Sequence, residues 1–494
     1  MDAPAISVPL TAERPADARG ELRALVGLAA PLVGANLLQM AVYAVDVVFV
    51  ARLGTVEFAA ATLGVFLYGI TMWSLMSMAT ACAPLIAAEL GRRRHAVREV
   101  RRSFRMALWL GAMVAVPGSI LLLNGERLFL LAGQDARVAA RAGDFLDILF
   151  LALLPSIFAA VMRTVAAALG RPGWALGVTA MAVGLGLLFN WLLVFGNLGF
   201  PALGLEGSAI ASVLTVVAML LAYGAILSFD PRLRRYRLFG RWWRAEWSRF
   251  AEMLRIGVPI ALTVTLEAGL FGGAALLMGL IGVTEVAAHA IALNIASLAF
   301  QVPLGVAQAA TIRVGMGYGA RDAEWVARAG WTAIVVGTGF MIVTAVLMWV
   351  IPRWLIAIYV DVEAPAEARV VALAVQYLAV GALFQLFDGA QAVAAGVLRG
   401  LQDTRVPMVI AGLGYWIAGF GTAIALGFWA GWQGVGIWAG LCAGLIVVSA
   451  ALLWRFAVRE RLGLLGPTSG RDTVVTEPIL VSGKEQGGSD AEAS

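Results

Sequence analysis

The chain has 494 residues, 61% of them hydrophobic and 14% charged, with a formal net charge of +5. A soluble protein of this composition would need a very large dry core and almost no charged surface, so bilayer-spanning helices are the simpler account. The small positive balance asks for no nucleic-acid partner, and two isolated cysteines, Cys82 and Cys442, exclude a disulfide framework or a cysteine metal site.

Residues 1–20 are rich in Pro, Ala and charge and read as a flexible tail. The first apolar run starts near Leu22 and is too long, and too polar at its centre, for a cleavable signal, so it stays as the first spanning helix. Within it Asn36, Gln39, Tyr43 and Asp46 follow one another at three, four and three residues, on one helical face. Further segments of roughly 20 to 30 residues, each long enough for a ~30 Å hydrocarbon core, centre near Ser74, Val114, Leu153, Leu185 and Val216. These six form an N-terminal lobe over residues 21–230. An interlobe linker, 231–248, includes most of the stretch RWWRAEWSRF, which puts Trp243, Trp247 and Phe250 on one face as an interfacial anchor.

The C-terminal lobe, 249–460, holds six more segments. The seventh carries Thr263 and Glu267 on one face, with Gly269, Gly272 and Gly273 allowing close helix approach. The eighth opens with His289, read as a packing or hydrogen-bonding residue with a place in a proton relay as the functional alternative, and continues with the polar line Asn294, Ser297, Gln301 and Gln308. The ninth centres near Thr338. In the tenth, Gln385, Asp388 and Gln391 are spaced by three and Phe384 is among the aromatic candidates for a cavity wall. The last two centre near Trp416 and Leu445, and 461–494 reads as a second flexible tail. Arg313 and Arg399, near helix ends, read as side chains that snorkel to headgroups.

Arginines concentrate in two loops, Arg92 to Arg105 and Arg232 to Arg249, both after even-numbered segments. Connections near Gly199 to Glu206, Gly282 to Val286 and Ala430 to Gln433 carry no Lys or Arg. Positive charge is retained in the cytoplasm, so both termini are expected there, with anionic lipid headgroups as the partners of the arginines.

The two halves repeat one another. GTVEFAAATLGV from Gly54 resembles GVTEVAAHAIAL from Gly282, and holding that spacing pairs Pro31 with Pro259, Glu57 with Glu285 and Gly91 with Gly319. PALGLEGSAIAS near Gly204 resembles GWQGVGIWAGLC near Gly434. Six helices per half is an even number, so the fold expected is all-α, about twelve transmembrane helices in two six-helix lobes related by a pseudo-two-fold axis along the membrane normal, with a cavity between the lobes.

Asp46, Glu267 and Asp388 each sit in mid-segment, where a carboxylate costs about 2.5 to 3.5 kcal/mol on insertion scales. With no basic residue on its own helix face, such an acid pairs elsewhere, stays protonated or binds a cation, and it marks an ion or substrate route. Single Gln and Asn residues read first as interhelical hydrogen-bonding groups. With only two histidines, no His/Cys/acid cluster of ligand spacing and no nucleophile motif, the chain is not read as an enzyme. A lipid-linked or polysaccharide precursor flippase, the rival within transport, would need a basic pocket for phosphates.

The runs AAHAIALN from Ala287, PLGVAQAATIRVG from Pro303 and FDGAQAVAAGVLRGLQDTRVP from Phe387 resemble the multidrug and toxic compound extrusion transporters, in particular their NorM-like bacterial branch. The resemblance extends from about Leu22 to about Phe456. It implies a cofactor-free antiporter of the bacterial cytoplasmic (inner) membrane, acting as a monomer, that expels bulky, mostly cationic organic compounds in exchange for H+ or Na+. Carried over by motif, Asp46, Glu267 and Asp388 match the family's intramembrane acids, and Asn190 matches the fifth-helix Asn that lies near the first-helix acid. A sodium site at Glu267 and Asp388 is implied, although sodium-coupled relatives look as if they carry Tyr where this chain has Phe384.

The topology has a direct check. With Cys82 and Cys442 replaced, a cysteine introduced at Gly199 should react with an impermeant maleimide in intact cells, and one at Arg235 only after permeabilisation; the reverse pattern would invert the orientation.

Overall fold

The structure, a computed structural model, describes residues 14–15, 17–92, 96–240 and 244–465. Among them are twelve helical spans long and apolar enough to cross a membrane: α1 (Ala18–Val50), α2 (Thr55–Arg92), α3 (Val97–Leu123), α4 (Ala136–Ala168), α5 (Gly173–Leu193), α6 (Gly204–Phe229), α7 (Trp247–Ile281), α8 (Val283–Gly319), α9 (Ala323–Val350), α10 (Pro365–Gly400), α11 (Arg405–Trp429) and α12 (Gln433–Ala457). The all-helical, twelve-span expectation therefore holds. Hydrocarbon offers backbone N–H and C=O groups no partners, and a helix supplies them internally.

Polar side chains set several of the boundaries. Asp17 caps α1, accepting from the Gly20 amide at 2.7 Å; Asp135 and Asp322 cap α4 and α9 in the same way. Just past α6, Asp230 accepts from the Trp174 indole N–H at 3.0 Å and from the Arg232 amide at 2.8 Å, and meets Arg171 at 3.3 Å. Burial works against the Asp230 carboxylate, but these donors outweigh it and hold the carboxyl below its ordinary range. Its contribution to stability is present above the ordinary carboxylate range and lost as pH falls through the lowered value.

Within the N-terminal lobe α1 packs on α5, and α2 on α4; in the C-terminal lobe α10 packs on α8, α9 and α12. The lobes meet where α1 and the end of α2 lie against α8, and where α2 lies against α7. The repeat-paired glycines make the closest of these approaches possible. A Cβ on Gly91 would sit 2.0 Å from the Met316 carbonyl oxygen, and one on Gly319 would sit 1.8 Å from that of Ala88. Beside this crossing Arg313 of α8 donates two hydrogen bonds, of 2.8 and 2.7 Å, to Glu21 of α1, with both side chains 0% exposed, and lies over the Trp325 ring. Arg249 meets Glu89 at 3.2 Å, and Arg14 meets Asp322 at 2.8 Å. The lobes are thus joined on the face that carries the arginine-rich loops.

Several expectations need correction. α1 begins at Ala18 and Arg14 is bound to the opposite lobe, so the chain is ordered before residue 20. The remainder of the first expected tail, most of the second, and Trp243 of the linker lie outside the described residues. Arg313 does not snorkel, because Glu21 supplies a carboxylate inside the protein. Nor does Arg399, which lies within electrostatic reach of Glu267 and Tyr415. In the linker, Phe250 is buried and Trp247 exposed, while Glu246 hydrogen-bonds Arg102 and Arg105 of α3.

Replacing Glu21 by Ala removes the carboxylate from a fully buried pair, which costs about 3 to 5 kcal/mol. The E21A protein should unfold at a markedly lower temperature in detergent, and E21L/R313M should recover most of the loss. Unchanged melting of E21A would show that the pair does not hold the lobes together.

Candidate functional site

The α1 stripe faces one space. Asn36, Gln39, Tyr43 and Asp46 all line a cavity of about 360 Å³, within the range of small-molecule sites. Its walls come mainly from α1, α2, α4, α5 and α6, with Gln301 and Gln308 of α8 closing one side. The cavity is thus built mostly from the N-terminal lobe, with the C-terminal lobe contributing the side formed by α8. Met40, Met72, Trp73, Met76 and Met219 make most of the remaining lining apolar or aromatic.

Asp46 is clasped from two other spans. Asn190 Nδ2 donates to Asp46 Oδ1 at 2.8 Å while also donating to the Gly186 carbonyl at 2.9 Å, and Ser212 Oγ donates to Asp46 Oδ2 at 2.8 Å. Each carboxylate oxygen has a second lone-pair direction, so the acid keeps room for a proton or a cationic guest. Nearby, the Tyr43 hydroxyl donates weakly to Met72 Sδ at 3.9 Å, and the Tyr68 and Ser156 hydroxyls are 3.1 Å apart. Asn36 is buried, and its Nδ2 has no hydrogen-bond partner among the described residues. Ser212 carried no sequence signal, since it is one of several small residues in an apolar run. Arg163 of α4 also lines the cavity.

A second constellation sits in the C-terminal lobe. Gln391 Nε2 donates to Glu267 Oε1 at 3.2 Å, and the Tyr415 hydroxyl donates to Gln391 Oε1 at 2.8 Å. The tyrosine occupies the amide's acceptor and so turns its NH2 toward the carboxylate. Tyr415 belongs to a π-helical stretch of α11, Leu413–Phe420; such widened turns recur at functional sites. Asp388 is buried, has an Oδ1 without a hydrogen-bond partner, and lies within electrostatic reach of Glu267. Glu267, Asp388 and Gln391 thus come together, joined by Tyr415 and Arg399, which sequence spacing did not select. Among the described residues no group of three or more His, Cys, Asp or Glu side chains stands at metal-ligating distance.

Other candidates bond elsewhere than to the acids. Gln385 is 0% exposed, donating to the Ala296 carbonyl at 2.9 Å and accepting from Thr344 at 3.0 Å. Thr263 bonds back to the Pro259 carbonyl and Asn294 to the Ala290 carbonyl, both within their own helices. Phe384 is a core ring, not a cavity wall: it is 1% exposed, edge-on to Phe271 and Trp438. His289 also packs edge-on against Trp438, and among the described residues neither ring nitrogen has a hydrogen-bond partner and none joins it to the acids.

The MatE family model matches the chain twice, over residues 31–192 and 259–424, beginning at the prolines that the internal repeat pairs. The probable multidrug resistance protein NorM of Mesorhizobium japonicum is 48% identical over 444 residues, covering 90% of this chain and 95% of that protein. The protein of the same name in Brucella suis is 46% identical over 427 residues, 86% and 91% of the two chains. The crystal structure of the eukaryotic MATE transporter AtDTX14 superposes with a TM-score of 0.79 at 22% identity, covering 90% of this chain and 99% of that one; it shares the fold.

The clasp on Asp46 can be probed chemically. Replacing Asn190 by Ala should let dicyclohexylcarbodiimide, which attacks carboxyl groups in apolar surroundings, label Asp46 several-fold faster by intact-protein mass spectrometry, with D46N as the unlabelled control. Equal labelling of N190A and wild type would mean that Asn190 does not hold the carboxylate.

Proposed function

The chain belongs to the MatE family, the multidrug and toxic compound extrusion transporters, and on that premise we propose that it exports bulky, mostly cationic organic compounds across the bacterial inner membrane in exchange for protons or sodium ions. The observation that carries the reading is Asp46: one anion, held by two neutral donors, in a drug-sized cavity whose other walls are rich in Met and aromatic side chains. Flat organic cations gain about 0.5 to 2 kcal/mol per contact over such rings. A cationic compound and the coupling ion compete for the same carboxylate, and that competition links the two fluxes.

Alternating access follows from the two-lobed construction. In the present state the lobes are closed against each other at the arginine-rich face, and loading from the cytoplasm requires this crossing to part. We assign the Glu267–Asp388 constellation to ion coupling. Arg399 already brings a positive charge to Glu267, and Phe384 presents no oxygen at the position where sodium-coupled relatives look as if they carry Tyr. Both favour a proton over a sodium ion. Moving one charge through ~150 mV yields about 3.5 kcal/mol, but one proton exchanged for one monovalent cation moves no net charge and draws only on the pH difference.

The test uses the purified full chain in liposomes, following a fluorescent organic cation under an imposed pH gradient and then under a sodium gradient, each with the other held flat. Transport driven by the pH gradient is expected, with D46N and E267Q each lowering the initial rate by about tenfold or more. Sodium-driven transport would replace the proton assignment. No response to either gradient would overturn antiport and favour the flippase reading.

A further inference from the structure

The cavity holds a charge that export of simple cations does not require. Arg163 lines the same space as Asp46, yet among the described residues it has no ion pair and no hydrogen bond. Several other inward-facing arginines meet a carboxylate, Arg313 at Glu21, Arg249 at Glu89 and Arg105 at Glu246, and Arg399, also without an ion pair or hydrogen bond among the described residues, lies within electrostatic reach of Glu267. A guanidinium facing an apolar cavity without a counter-ion is costly, and a bound anion would offset that cost each time the site fills.

Asp46 is not that counter-ion. Among the described residues no ion pair joins the two: Asn190 and Ser212 hold the carboxylate, and Tyr43 lies within electrostatic reach of both charges. Tyr223 of α6 flanks Arg163 on another side. The two poles also lie toward opposite faces of the membrane. Asp46 is about one turn from the Val50 end of α1, and Arg163 little more than one turn from the Ala168 end of α4. α1 starts on the arginine-rich face and α4 ends there, so the negative pole sits toward the far face and the positive pole toward the arginine-rich one.

We propose that Arg163 is an anion subsite, and that this cavity is built for amphoteric organic compounds that carry a cationic centre toward Asp46 and an acidic group, a carboxylate foremost, on the Arg163 guanidinium. The proposal rests on the export reading above and narrows its substrate class. A guanidinium fork matches a carboxylate with two parallel hydrogen bonds. Between the poles, Tyr43, Met72 and Trp73 offer apolar surface for an aromatic body.

Rhodamine B and its ethyl ester test this directly, because they share one cationic ring system and differ in whether the second group is a free carboxylate. Binding of each dye to the full chain in lipid nanodiscs is measured by fluorescence anisotropy for wild type, R163Q and R163K. The ratio of the affinities for acid and ester should fall by about tenfold to a hundredfold in R163Q, whatever happens to the absolute values, and R163K should retain part of the preference. A ratio unchanged in R163Q, or equal losses for both dyes, would make Arg163 a structural residue and overturn the proposal. Failure of the wild type to bind either dye, together with no gradient-driven export of the ester from liposomes, would instead remove the export reading on which it rests. Export of the ester with no Arg163-dependent discrimination would remove the anion subsite alone.

Discussion

A charge drawn into hydrocarbon has to be answered by the protein, because no water is there to do it. Much of this molecule consists of such answers. Glu21 and Arg313 neutralise each other where α1 meets α8, with neither side chain exposed. Asp46 is answered by neutral donors from two other spans. Glu267 is answered by an amide that a buried tyrosine orients and by Arg399. The spans that carry these groups are fixed relative to one another by the same contacts.

The two lobes answer their buried acids with different chemistry. Asn190 and Ser212 are neutral donors, so the Asp46 end of the N-terminal cavity has no bonded basic partner among the described residues, while Arg163 lines the same cavity as its opposite pole. In the C-terminal lobe Arg399 and the Tyr415–Gln391 chain answer Glu267, and Asp388 and Phe384 are buried. The paired halves thus differ in their polar residues.

What the repeat preserved is the crossing. Gly91 and Gly319 occupy paired positions in the two halves, and each lies against a backbone carbonyl of the other half. Side chains there would hold the helices apart, so the glycines set how closely the lobes approach at the arginine-rich face. Ion pairs from α1, α7 and the segment before α1 then surround that contact. Closure at one face depends on backbone proximity first and charge second.

Sequence by itself determined the twelve spans, the isolation of Asp46, Glu267 and Asp388, and the pairing of the two halves. Hydropathy and the rarity of charge are properties of a local run, and a repeat is visible along one dimension. The stripe from Asn36 to Asp46 was legible for the same reason, since one helix fixes which of its residues share a face. Tertiary structure alone decided what each of those faces meets. It built the cavity mostly from one lobe, supplied Ser212 and Tyr415 from spans with no polar stripe, turned Arg313 and Arg399 inward, left Arg163 without a partner among the described residues, and made core residues of Phe384 and His289. Each of these depends on which other helix stands opposite at a given depth, and the spacing of residues within one helix carries no information about that neighbour.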